Sequence, residues 1–197
     1  MLWRRGSPLP EILASQARAC VAVAAQAARF FRTPSQAGAY AVHQAGLAAR
    51  REATAAAAAV AALRGPQRRD WMTLSRQLAA AAREQAAGAA EAARFGVADF
   101  AGLAGSCAGL RDCGRELGAA LETLRDGPRC EAGLVAAKRW ALVAQRRQRL
   151  ARAAALDAPD AVRDLKVRTV LRRLEAATEA WQEAVDCVAE VVGSGGK

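Results

Sequence analysis

At 197 residues the chain is long enough for one domain with its own core and too short to require two. Hydrophobic residues make up 53% but aromatics only 5%; alanine inflates the first figure, and a methyl group contributes little when burial stabilises by roughly 25 cal/mol per Å². The net charge of +10 is carried almost wholly by arginine, with lysine only at Lys138, Lys166 and Lys197; this favours anionic partners such as nucleic acid or a phospholipid surface, specifies no fold, and is also what arginine-biased coding would produce.

The opening Met1-Leu2-Trp3-Arg4-Arg5 runs through Pro8 and Pro10 into Glu11, Gln16 and Arg18, an interrupted pattern that argues against a secretory leader. Glu11 to Phe31 reads as a first helix, stopped at Arg32-Thr33-Pro34. Thr33 or Ser35 can cap a second, running through Tyr40, Val42 and Leu47 and a polyalanine stretch to Leu63. The apolar block Ala55 to Leu63 is its longest, far short of the ~20 residues that span a bilayer.

A turn at Arg64-Gly65-Pro66-Gln67 precedes a third helix. Trp71, Leu74, Leu78, Ala81, Gln85, Gly88, Ala92 and Phe95 alternate there at spacings of three and four, a coiled-coil-like seam made largely of small residues. From Gly96 to Gly118 the pattern weakens. Six glycines, each costing about 1 kcal/mol against alanine in a helix, predict a frayed or bent segment, with firm helix signals returning only at Glu116 to Leu124.

Pro128 to Ala155 reads as a basic helix: Arg129, Lys138, Arg139, Arg146, Arg147, Arg149 and Arg152 face one acid, Glu131, for a net +6. It also carries Leu134, Val135, Trp140, Leu142, Val143 and Leu150. The last helix, Pro159 to Val192, has the most regular seam, Val167, Leu171, Leu174, Thr178, Trp181, Val185, Val188 and Val192, suited to pairing within the chain or to homo-oligomerisation. The prolines at 34, 66, 128 and 159, with Gly96 between, suggest a degenerate repeat of one turn plus one helix about 31 residues long; prolines at helix starts in an ordinary bundle would look the same.

The chemistry-bearing inventory is poor. The only histidine, His43, has no nearby acid; five cysteines (Cys20, Cys107, Cys113, Cys130 and Cys187) show no CxxC pair and read as reduced thiols of a cytosolic protein. Gly102-Leu103-Ala104-Gly105 lacks the ending of a phosphate loop, and no Glu-x-x-His pair exists for a di-iron site. The expectation is a non-enzyme without metal or cofactor. Arginine-flanked apolar stripes suit either an interfacial amphipathic helix or a water-soluble bundle packed inward. No aromatic residues interleave with the charges for base stacking, which leaves non-specific phosphate contact as the nucleic-acid reading.

Ala61-Ala62-Leu63-Arg64-Gly65-Pro66-Gln67, followed by Trp71-Met72-Thr73-Leu74-Ser75-Arg76-Gln77 and a long Ala/Gln helix to Phe95, resembles the phasin family, the helical proteins that coat polyhydroxyalkanoate granules. Arg68 stands where that family usually has an acid, and Ser75 where it usually has Gln. The resemblance covers about 33 residues, Leu63 to Phe95, with a weaker echo at Arg32 to Gln36. It implies a cytoplasmic, granule-associated protein without enzymatic activity, often a homo-oligomer, with Tyr40, Val42, Leu47, Trp71, Leu74, Leu78 and Phe95 as candidate contacts to the granule surface; ordinary core packing is the alternative for each of them.

The expected fold is all-α: an elongated bundle of five or six long helices joined by short Pro/Gly turns, with a coiled-coil-like C-terminal helix. A single domain spans 1–192, with a phasin-like core at about 30–125, the basic and heptad helices at 128–192, and a flexible tail at 193–197. Three surfaces are marked out: the apolar set, the basic patch Lys138, Arg139, Arg146, Arg147, Arg149 and Arg152, and the oligomerisation seam Val167, Leu171, Leu174, Trp181, Val185 and Val188.

Overall fold

The computed structural model describes residues 9–64, 68–98, 100, 102–156 and 160–195. They form an all-α bundle of six helices: α1 (Leu9–Arg32), α2 (Gln36–Ala61), α3 (Arg68–Phe95), α4 (Leu103–Glu122), α5 (Gly127–Leu156) and α6 (Ala161–Gly195). The prolines at 66 and 159, the N-terminal stretch through Pro8, and the last two residues lie outside the described set.

Local chemistry accounts for the boundaries. Glu11 in the first turn of α1 and Arg29 and Arg32 in its last turn suit the helix dipole. Ser35 is the cap of α2, its Oγ accepting from the Gly38 N–H at 3.0 Å. α3 stops at Gly96, whose φ of +68° is open to glycine and strained for other residues. Asp126 Oδ1 accepts from the Arg129 N–H ahead of α5, and Asp160 Oδ1 from the N–H groups of Val162 and Arg163 ahead of α6.

Two expectations are corrected. The glycine-rich segment is helical over 20 residues as α4, Leu103–Glu122, with Gly96, Val97, Ala98, Phe100 and Gly102 outside helix. Two of its glycines sit at close helix contacts, so packing offsets the propensity they lose: a Cβ at Gly109 would lie 3.1 Å from Ala144, and one at Gly114 would lie 2.7 Å from Trp181. α6 also continues through Gly193 to Gly195, where a flexible tail was expected from 193; residues 196 and 197 lie outside the described set.

The helices form two halves. Within the first, α1 packs on α2 and α3, and α2 on α3; within the second, α4 packs on α5 and α6, and α5 on α6. The halves join through α1 on α4 and α3 on α6. Both joins are antiparallel: Arg18 pairs with Glu122 and Val21 approaches Gly114, while Gln77 bonds Glu183 and Glu91 bonds Arg173. The halves therefore share helix order and packing partners, the arrangement that an approximate two-fold axis between them gives.

The buried positions repeat with that arrangement. Ala17, Cys20, Ala24 and Ala28 of α1 correspond to Leu110, Cys113, Leu117 and Leu121 of α4, 93 residues on. All four buried residues of α2, Val42, Ala49, Ala56 and Val60, correspond to Ala137, Ala144, Ala151 and Ala155 of α5, 95 residues on. Trp71, Leu74, Leu78, Ala81, Gln85, Ala89 and Ala92 of α3 correspond to Val167, Val170, Leu174, Ala177, Trp181, Val185 and Val188 of α6, 96 residues on. Heptad spacing alone would align single helices at many shifts. Here the helix order and the packing partners agree as well, so the larger repeating unit is a three-helix half.

Candidate functional site

The α4–α5 contact decides which way α5 faces. Two glycines at the start of α4 let small residues of α5 approach closely: Gly102 opposes Ala151, and Gly109 opposes Ala144. Farther along, Gly133 of α5 itself comes against Ala120. The inward stripe of α5 is accordingly Cys130, Leu134, Ala137, Ala141, Ala144, Gln148, Ala151 and Ala155. Its larger apolar residues are left outside: Val135 is 52% exposed, Leu142 54% and Leu150 56%, with Val143 and Trp140 also classed as exposed. Leu156, Val162 and Leu165 extend this apolar surface to the start of α6.

Every member of the basic patch is exposed on the same helix. Lys138 Nζ bonds Asp186 Oδ1 at 2.8 Å, and Arg152 pairs with Glu175, both across to α6. Arg147 lays its side chain along Gly105 of α4. Among the described residues no acid pairs with Arg139, Arg146 or Arg149, which stand between the exposed Val135, Leu142 and Leu150 at helical spacing. The outcome is a face apolar and cationic at once, with its guanidinium groups uncommitted.

The remaining sequence-marked residues divide by location. Tyr40 is 64% exposed and Leu47 40%, whereas Val42, Trp71, Leu74 and Leu78 are buried, and Phe95 is half-buried against the core beneath the Arg94 guanidinium. Of the set marked for adsorption or packing, Val42, Trp71, Leu74 and Leu78 are thus core, and Tyr40 and Leu47 lie on the surface. Val167, Leu171, Leu174, Trp181, Val185 and Val188 are also buried, and α6 packs principally on α3 of the same chain, so the intrachain option of that seam is the one realised. Basic-helix residues Val135, Leu142, Val143 and Leu150, assigned no role from sequence, are the exposed ones. The signal that pointed to them was the run of alanines at 137, 141, 144, 151 and 155, a second stripe competing for the inside.

Buried polar groups lie inside the second half. Gln148 Nε2 donates to Ser106 Oγ (2.8 Å), Leu174 O (3.0 Å) and Thr178 Oγ1 (2.8 Å), tying α5 to α4 and α6. In the first half, Gln16 and Ser75 bond each other reciprocally. Burial pushes the thiols of Cys20, Cys107 and Cys113 up to about 12, which leaves them protonated and poor nucleophiles near neutral pH. Among the described residues no group of three or more His, Cys, Asp or Glu could hold a metal ion, and no helix is long and apolar enough to cross a membrane. No protein-family model matches the chain, and no curated protein matches it.

Proposed function

We propose that the chain is a non-enzymatic surface-adsorbing protein, phasin-like in coating polyhydroxyalkanoate granules, and that it adsorbs by the outer face of α5. The observation that carries the reading is the orientation of that helix, with alanines inward and Val135, Leu142, Val143 and Leu150 toward solvent among free arginines. Fully burying such a side chain is worth about 1.5–3 kcal/mol. Four half-exposed ones then contribute about 4 kcal/mol on meeting an apolar boundary, and each arginine beside negative charge adds about 1 kcal/mol. The total corresponds to adsorption at roughly micromolar concentration without opening the core.

A fluorescent fusion in granule-forming cells tests the reading. The wild-type protein should ring the granules, and Leu142→Glu/Leu150→Glu should turn diffuse while keeping its helical content and melting temperature. Diffuse wild-type signal in granule-filled cells would sink the proposal.

The second reading is a nucleic-acid-associated protein, favoured by the unpaired Arg139, Arg146 and Arg149. It predicts DNA binding that Arg→Gln changes at these positions weaken and Leu142→Glu affects little beyond charge. Adsorption predicts that both kinds of change matter.

A further inference from the structure

The relation between the halves places α2 and α5 in equivalent positions on opposite sides of the bundle, each packed chiefly on the other two helices of its own half. Their outward residues correspond as well. Tyr40 of α2 matches Val135 of α5, Leu47 matches Leu142, and Arg51 matches Arg146, all at the 95-residue offset that aligns the buried positions. All six are exposed, and spacings of seven and four place each trio on one helix face.

Charge on the α2 face has the same sign. The only acid of α2, Glu52, accepts from Ser15 Oγ of α1 at 3.0 Å. Among the described residues Arg51 forms no ion pair, as with Arg146. Each side of the molecule therefore presents an aromatic or aliphatic anchor, a leucine one heptad on, and a free guanidinium one turn later.

We propose that the protein is bivalent: the stripe on α2 is a second, weaker docking face for an anionic phospholipid surface, and one molecule bridges two such surfaces. Charge complementarity selects this partner, because an anionic bilayer boundary offers phosphates to the arginines and an apolar layer to Leu47 and Leu142. The weaker rank of α2 follows from its composition, since Gln44 and Thr54 stand where α5 has Arg139 and Arg149. The proposal rests on the reading that apolar-basic faces of this fold adsorb, and adds that there are two of them.

The test uses the full chain with phosphatidylcholine vesicles containing about 30% phosphatidylglycerol, a composition that gives the surface its negative potential. Co-sedimentation reads binding, dynamic light scattering reads vesicle clustering, and light scattering of the protein alone reads self-association. The wild-type protein should sediment with vesicles and cluster them, with clustering falling again when excess protein covers every surface. Tyr40→Glu/Leu47→Glu should bind within about twofold of wild type and lose clustering; Val135→Glu/Leu142→Glu should bind at least about tenfold more weakly.

Wild-type protein that sediments with vesicles but clusters them at no ratio overturns bivalency and leaves single-face adsorption standing. Clustering that survives Tyr40→Glu/Leu47→Glu overturns it too. So does a solution dimer abolished by that variant, since α2 would then hold a second copy of the chain. Wild-type protein that fails to sediment with vesicles overturns the phospholipid partner and bivalency but leaves granule coating standing; failure to bind isolated granules as well removes adsorption altogether.

Discussion

Replacing Gly114 by alanine sets two effects of opposite sign against each other inside α4. Helix propensity favours the change by about 1 kcal/mol, since glycine is that much poorer than alanine in a helix interior. Packing opposes it: the new Cβ would lie 2.7 and 2.9 Å from the Trp181 ring and 2.8 Å from Val21 Cγ2, where carbon atoms prefer about 3.5–4.0 Å. Trp181 is fully buried and its indole is rigid, so relief requires moving a ring wedged between helices. Overpacking of this kind costs about 1–3 kcal/mol, and contacts this close belong to the upper part of the range.

The net expectation for Gly114→Ala is a loss of about 1–2 kcal/mol, or a melting temperature lower by about 2–8 °C for a chain of this size. Gly118 is the internal control, on the same helix one turn later. A Cβ there would meet Ala17 at 3.9 Å, ordinary contact, so Gly118→Ala should gain up to about 1 kcal/mol. Urea unfolding followed by circular dichroism measures both. If Gly114→Ala is as stable as wild type, Gly114 is not serving close packing; if Gly118→Ala loses more than about 1 kcal/mol, the 3.9 Å contact with Ala17 does not distinguish the two sites.

Gln148→Ala should cost about 2–4 kcal/mol in urea unfolding, because it leaves a cavity and removes the buried partner of Ser106 and Thr178. Stability should also fall as pH rises above about 9. The folded Cys20, Cys107 and Cys113 thiols titrate near 12 while unfolded thiols ionise near 8.5, so between those values the native state holds more protons than the unfolded chain. Each thiol contributes a slope of about 1.4 kcal/mol per pH unit, fully stabilising below the unfolded value; because burial raises Cys130 and Cys187 as well, Cys107→Ala should reduce the measured slope by at most about a third in alkaline titrations. Leu142→Glu, exposed on α5, should change unfolding free energy by less than about 0.5 kcal/mol while displacing the protein from granules.

Much of this architecture was legible in the chain. Alanine-rich runs punctuated by Pro and Gly, the Ser35 cap, and the seams of α3 and α6 specify long helices and their core stripes, because a 3.6-residue period and cap chemistry are local properties. Net charge and the concentration of arginine in α5 are likewise properties of the string. Tertiary structure alone settled which of two stripes on α5 faces inward. Its larger residues would normally be assigned to the core, but Gly102 and Gly109 bring α5 so close at Ala151 and Ala144 that no larger side chain has room there, and that constraint lies on another helix. The same holds for α4, whose glycines lower local helix propensity yet allow close contacts to α5 and α6 and, at Gly114, to Val21 of α1, and for the relation that sets α2 and α5 on opposite sides. A stripe of small residues acquires direction only when its partner is present.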